Sequence, residues 1–112
     1  MELCVLFITV PNAEVGERVA RALVEERLAA CVNRVPGLTS IYRWQGKIEC
    51  DPEELLVVKT RQSLVPELAA RVQALHPYQV PEVIALPIVA GLPSYLDWVA
   101  AETRDGSQRP SA

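Results

Sequence analysis

Apolar residues along this chain fall into blocks of two periods. Residues 3–10, LCVLFITV, are apolar without a break up to Pro11, as in a central strand covered on both faces. Asn12 then caps a helix reaching to about Leu28, with Val15, Val19, Leu23 and Leu28 near one face. Glu14–Arg18 and Glu17–Arg21 are i,i+4 pairs on its solvent side. Gly16, in the first turns, weakens the helix by up to about 1 kcal/mol against Ala, or else serves close backbone packing.

The next block, residues 31–58, reads as a long β-hairpin. Ile41, Tyr42 and Trp44 suit a pleated, half-buried surface, and Gln45-Gly46 suits a tight turn. The return arm contains Leu55-Leu56-Val57-Val58 and ends near Lys59-Thr60; Asp51-Pro52 is expected to interrupt it with a bulge or an edge position. From Cys31 to Trp44 the first arm spans about 45 Å at roughly 3.3 Å per residue. A compact chain of this length has a diameter of roughly 34 Å. The arm therefore bends, with Pro36-Gly37 the expected place, or its tip projects and is covered by another copy of the chain.

Ser63 is expected to cap a second helix, with Pro66 in its first turn, Leu64, Leu68, Val72 and Leu75 as its stripe, and His76-Pro77 as its stop. Residues 80–89, VPEVIALPIV, read as a strand confined to an edge by Pro81 and Pro87. A last helix begins around Pro93-Ser94 and carries Tyr95, Leu96, Trp98 and Val99. The order β-α-β-β-α-β plus a C-terminal helix is the ferredoxin-like arrangement of an α+β fold, with an antiparallel sheet and two helices on one face. The other face needs the last helix or another subunit. Residues 1–102 form one domain, and the polar run 103–112 is expected to be a disordered tail.

Composition narrows the function. The chain has 112 residues, half of them apolar, and a net charge of −3. It shows no basic cluster for nucleic acid and no apolar run long enough to span a membrane. The N-terminus lacks a basic n-region and a small-residue cleavage site, so it reads as a strand and not a signal peptide. Three cysteines, with no CxxC pair, suit free thiols in a reducing compartment, and a cytoplasmic location is expected. Cys4 and Cys31 read as small buried hydrophobes. Cys50, between Glu49 and Asp51, is an improbable thiolate.

No phosphate loop, HExxH or GxSxG is present, and one histidine cannot build a multi-histidine site in one chain. An enzyme is therefore the weakest reading. The densest polar cluster is LHPYQVPE, residues 75–82. His76 and Glu82 each offer a donor atom to a metal, or His76 caps the preceding helix. Tyr78 stands between them. Tyr42 and Trp44 serve as core or interface residues, or as a stacking wall for a planar ligand. Lys59, beside LLVV, snorkels to water or answers an anionic ligand.

Three blocks are specific. AACVNRVPGLTSIYRWQGKIE, VVKT and LHPYQVPEVIALPIVAGLPSYLDWV closely resemble the CutA family of divalent-cation tolerance proteins, over roughly residues 3–100. The resemblance implies a homotrimer whose long hairpins pair between subunits, an assembly similar to PII-type signal proteins. It implies a role in the response to metal ions, with copper or another divalent cation as ligand and no obligatory cofactor. His76 matches the family's His-Pro-Tyr motif. Some bacterial members double this histidine and add a cysteine late in the first strand; here Leu75 and Ile8 stand there. A Cys/His/His copper site is thus excluded, leaving His76 with Glu82 or a residue across a subunit boundary. The alternative is a PII-like sensor binding a small anionic ligand in intersubunit clefts, through Tyr42, Trp44, Lys59 and Tyr78.

Overall fold

The computed structural model describes residues 2–105. In chain order its elements are β1 (Leu3–Val10), α1 (Ala13–Glu25), β2 (Cys31–Trp44), β3 (Lys47–Arg61), a 3-10 turn (Gln62–Leu64), α2 (Val65–Leu75), β4 (Val83–Pro87) and α3 (Pro93–Glu102). The four strands form one sheet in the order β2-β3-β1-β4, and every neighbouring pair is antiparallel. This is the expected ferredoxin-like topology, with β1 in the interior and the proline-limited β4 at an edge.

Period-2 alternation sends Cys4, Leu6, Ile8 and Val10 of β1, with Leu56 and Val58 of β3, toward the helices, where all are fully buried. They meet Val15, Val19 and Leu23 of α1 and Leu68 and Val72 of α2. Thr60 joins this face because its hydroxyl donates to the Leu28 carbonyl at 2.6 Å. On the opposite face α3 covers one end through Val99 against Leu3 and Ala30. The rest stays open, with Ile84 52% and Leu86 47% exposed.

The hairpin meets its length problem in both expected ways. β2 and β3 lose register between Val35 and Leu38, at Pro36-Gly37, where Gly37 has φ 81°. Beyond Val10↔Glu54 no third strand among the described residues accompanies the pair, so the tip projects from a molecule whose longest extent is 43 Å. Gln45 and Gly46 both have positive φ, as a type I′ turn requires. At Asp51-Pro52 the expected edge position is found and the expected interruption is not: β3 runs through, with Pro52 opposite Thr39. Pro52 lies where β3 has a single neighbour, so its missing N–H need not break a second ladder.

Helix boundaries also differ. Asn12 caps α1 as expected, its Oδ1 accepting from the Val15 N–H at 2.9 Å. The helix stops at Glu25, short of Leu28, because Arg27 takes φ 58° and the Leu28 N–H reaches back to the Leu23 carbonyl. Glu17 and Arg21 pair at 3.7 Å, whereas Arg18 donates to the Leu75 carbonyl at 3.2 Å. Ser63 does not cap α2; it sits inside the 3-10 turn, and the cap position is Leu64 without a side-chain bond.

The first residues of the expected tail are held against the fold. Thr103 and Arg104 are 2% and 7% exposed. Thr103 Oγ1 donates to the Val99 carbonyl and accepts from Arg61 Nε at 3.1 Å. Arg104 donates to the Glu26 carbonyl at 2.8 Å and to Glu67 at 2.7 Å. The remainder of the expected tail, 106–112, lies outside the described residues.

Candidate functional site

The loop between α2 and β4 and the outer part of the projecting hairpin border a cleft of about 670 Å³. Its walls include Tyr42 and Trp44 from β2, Glu53 from β3, and Tyr78, Val80 and Glu82 from the loop. Residues 42 and 44 are two apart on a strand and so share a face, the one left open by the helices. Among the described residues, no lysine or arginine lines the cleft.

His76 is the post that holds the loop in place. It is 7% exposed. Its Nδ1 accepts the Tyr78 backbone N–H at 3.1 Å, which leaves the hydrogen on Nε2, and Nε2 donates to the Thr9 carbonyl at 2.8 Å. His76 is the C-cap residue of α2, as expected, through its backbone N–H on the Val72 carbonyl, while its ring crosses to β1 and leaves the helix end. Neither nitrogen is free to ligate. Glu82 is exposed on the cleft wall, and the pair His76 and Glu82 therefore does not form a metal site by itself. Among the described residues, no group of three or more His, Cys, Asp or Glu is placed to hold a metal ion.

Two tyrosines are locked to carboxylates. Tyr42 OH donates to Asp51 Oδ2 at 2.6 Å, and that bond, with burial behind it, pushes the phenol up to about 12. Tyr78 OH donates to Glu53 Oε2 at 3.0 Å; burial, then that bond, push it up to about 12 as well. The His76 and Tyr78 rings lie 4.6 Å apart and tilted by 50°. Tyr42, Trp44 and Tyr78 line this cleft together with Glu82, the metal donor expected beside His76, and Lys59 does not line it. Lys59 lies six residues along β3 from Glu53, about 20 Å away, and its ammonium donates to Asn33 Oδ1.

Glu53 is the site residue that the sequence reading missed. It is 8% exposed, within a stretch read as an interruption. Glu49, Asp51 and Glu53 alternate along β3, so they form an acidic column on the cleft face; that alternation was the available signal. The cysteines are all free: Cys4 is buried, and burial pushes its thiol up, while Cys31 is only half-buried and Cys50 is exposed.

Fold and site together define a ferredoxin-like domain with an acidic, aromatic-walled cleft beside a projecting hairpin. Residues 4–102 match the family model for the CutA1 divalent ion tolerance protein, and the chain belongs to that family. It is 62% identical over 99 residues to the divalent-cation tolerance protein CutA of Thermus thermophilus, covering 88% of this chain and 96% of the relative. It is 54% identical over 101 residues to the chloroplastic CutA of Arabidopsis thaliana, of which it spans 56%. Among solved structures, a divalent cation tolerance protein from Thermus thermophilus superposes with a TM-score of 0.89 at 60% identity, covering 91% of this chain and 99% of that one. CutA1 from Oryza sativa superposes with a TM-score of 0.92 at 51% identity, covering 95% and 97%.

Proposed function

We propose that this protein acts in tolerance to divalent cations by binding them as a homotrimer, through carboxylates and not through histidine. One observation carries the reading: Glu53 and Glu82 share a cleft that no lysine or arginine among the described residues lines, while both nitrogens of His76 are engaged elsewhere. Carboxylate oxygens suit magnesium-, calcium- or manganese-like ions; copper favours imidazole or thiolate donors. Because one chain assembles no three-residue donor group among its described residues, water or a neighbouring subunit completes the sphere. The projecting hairpin supports an assembly. Its Ile41 and Ile48 are 73% and 62% exposed, a surface that a single chain leaves at risk of aggregation.

The anion-binding alternative is disfavoured by the same cleft. An anion there meets Glu53 and Glu82 with no lysine or arginine in the lining among the described residues, and Lys59 is held by Asn33. A binding role, not an enzymatic one, fits a site whose tyrosines are held near 12 and whose histidine is fully bonded. Free thiols favour a reducing compartment such as the cytoplasm.

The test is native mass spectrometry of protein purified without chelator or affinity tag, followed by calorimetric titration with manganese, zinc and copper. The expected result is a three-chain assembly whose manganese binding weakens at least tenfold in Glu82→Gln, about 1.4 kcal/mol or more. A monomer, or manganese binding indifferent to Glu82→Gln, would contradict the proposal.

A further inference from the structure

The cleft is large and aromatic for a metal site. A water-sized guest occupies roughly 30 Å³, whereas this cleft holds about 670 Å³, within the few-hundred-to-thousand Å³ range of small-molecule sites. Its polar groups also go beyond an ion's needs. Tyr42 and Trp44 stand side by side on β2, 38% and 39% exposed, so the chain leaves part of each side chain uncovered. Tyr78 faces the cleft from the loop. Both phenols donate to carboxylates, which fixes their rings and keeps them neutral. The Glu53 carboxylate accepts one bond from Tyr78 and has acceptor capacity left, and Glu82 adds a second carboxylate.

We propose that this cleft binds a small organic cation, an amidinium, guanidinium or substituted ammonium, between the Tyr42–Trp44–Tyr78 wall and the Glu53 and Glu82 carboxylates. Electron-rich ring faces attract such a cation, and carboxylates accept its N–H donors. A planar amidinium or guanidinium fits best, because it stacks on an aromatic side chain while presenting a fork of N–H groups to a carboxylate edge. Lys47, the register partner of Trp44, is not among the residues that line the cleft. The inference rests on the cation preference proposed above but assigns the aromatic half of the cleft to an organic guest.

The probe is benzamidine, titrated calorimetrically into the intact full-length protein, with neutral benzamide and anionic benzoate as shape-matched controls. Manganese is titrated in parallel. The expected result is saturable benzamidine binding, at least tenfold weaker for benzamide and lost for benzoate. Trp44→Ala weakens it about five- to thirty-fold and leaves manganese affinity unchanged. Glu53→Gln, which retains an acceptor for Tyr78, weakens benzamidine without loss of fold. Benzamide binding as tightly as benzamidine overturns the inference, as does benzamidine affinity indifferent to both substitutions. If benzamidine fails while manganese binds, only this inference falls. If neither binds, the cation reading of the cleft falls with it, and filling of the cleft by a neighbouring subunit becomes the explanation.

Discussion

Replacing Gly16 by alanine asks whether the buried carboxylate of Glu54 is fixed in place. A Cβ at position 16 would stand 1.8 Å from Glu54 Oε2 and 2.9 Å from its Cδ. A carboxylate at the end of a free side chain would swing aside at little cost. This one is 4% exposed and is gripped by Arg34, whose Nε and Nη2 reach its two oxygens at 2.8 and 3.2 Å. Arg34 is anchored in turn, because Nη2 also donates to the Ala13 carbonyl at 3.0 Å. Two effects therefore oppose each other. Alanine in a helix interior gains about 1 kcal/mol over glycine. Unseating a buried, hydrogen-bonded carboxylate costs about 3 kcal/mol or more, less whatever rehydration returns. The second effect wins, and Gly16→Ala should destabilise by about 2 kcal/mol, or lower Tm by about 8 °C.

The assay is denaturant unfolding at one fixed protein concentration for the parent, Gly16→Ala, Glu54→Ala and the double variant. With Glu54 shortened the obstruction vanishes, so Gly16→Ala in that background should stabilise by up to about 1 kcal/mol. A Gly16→Ala chain as stable as the parent would refute the idea that Arg34 fixes this carboxylate.

The three tyrosines should all ionise above their ordinary value of 10, with Tyr42 and Tyr78 near 12. The fold favours the neutral phenols, so their contribution is complete below about 10 and is lost as pH rises through about 12. A tyrosinate absorbance step near 10 in the native protein would contradict the two carboxylate bonds. Arg104→Ala should cost about 1–2 kcal/mol by thermal unfolding, since it removes the bonds to the Glu26 carbonyl and Glu67; an unchanged Tm would show that the post-helix segment does not clamp α3. Lys59→Ala should leave every cleft ligand's affinity unaltered, because Lys59 lies outside the cleft lining and is bonded to Asn33; a shift in calorimetric affinity would return it to the site.

The legible parts of this fold are those where a local pattern has one solution. An uninterrupted apolar run such as LCVLFITV must lie between two strands, and β1 does. A hairpin arm longer than the domain must bend or project, and β2–β3 does both. The illegible parts depend on partners distant in sequence. Nothing near His76 says that its ring will reach Thr9, 67 residues away, and without that bond a histidine in a polar loop looks like a ligand. Pro52 looked like a break because its single-neighbour position is set by where β1 ends. Thr103 and Arg104 looked like tail because the residues that hold them, Arg61, Glu26 and Glu67, belong to other elements.

Glu53 and Glu54 show how one misread stretch hid two roles. Adjacent on a strand, they point to opposite faces. Glu54 turns toward the helices, and its charge is answered by Arg34 above a glycine that leaves room for it. Glu53 turns toward the cleft, and among the described residues a neutral phenol answers it. A charge-paired carboxylate braces the fold. One whose described partner is an uncharged hydroxyl keeps its field for a guest, and that difference places the cation preference of this protein on the Glu53 side of the strand.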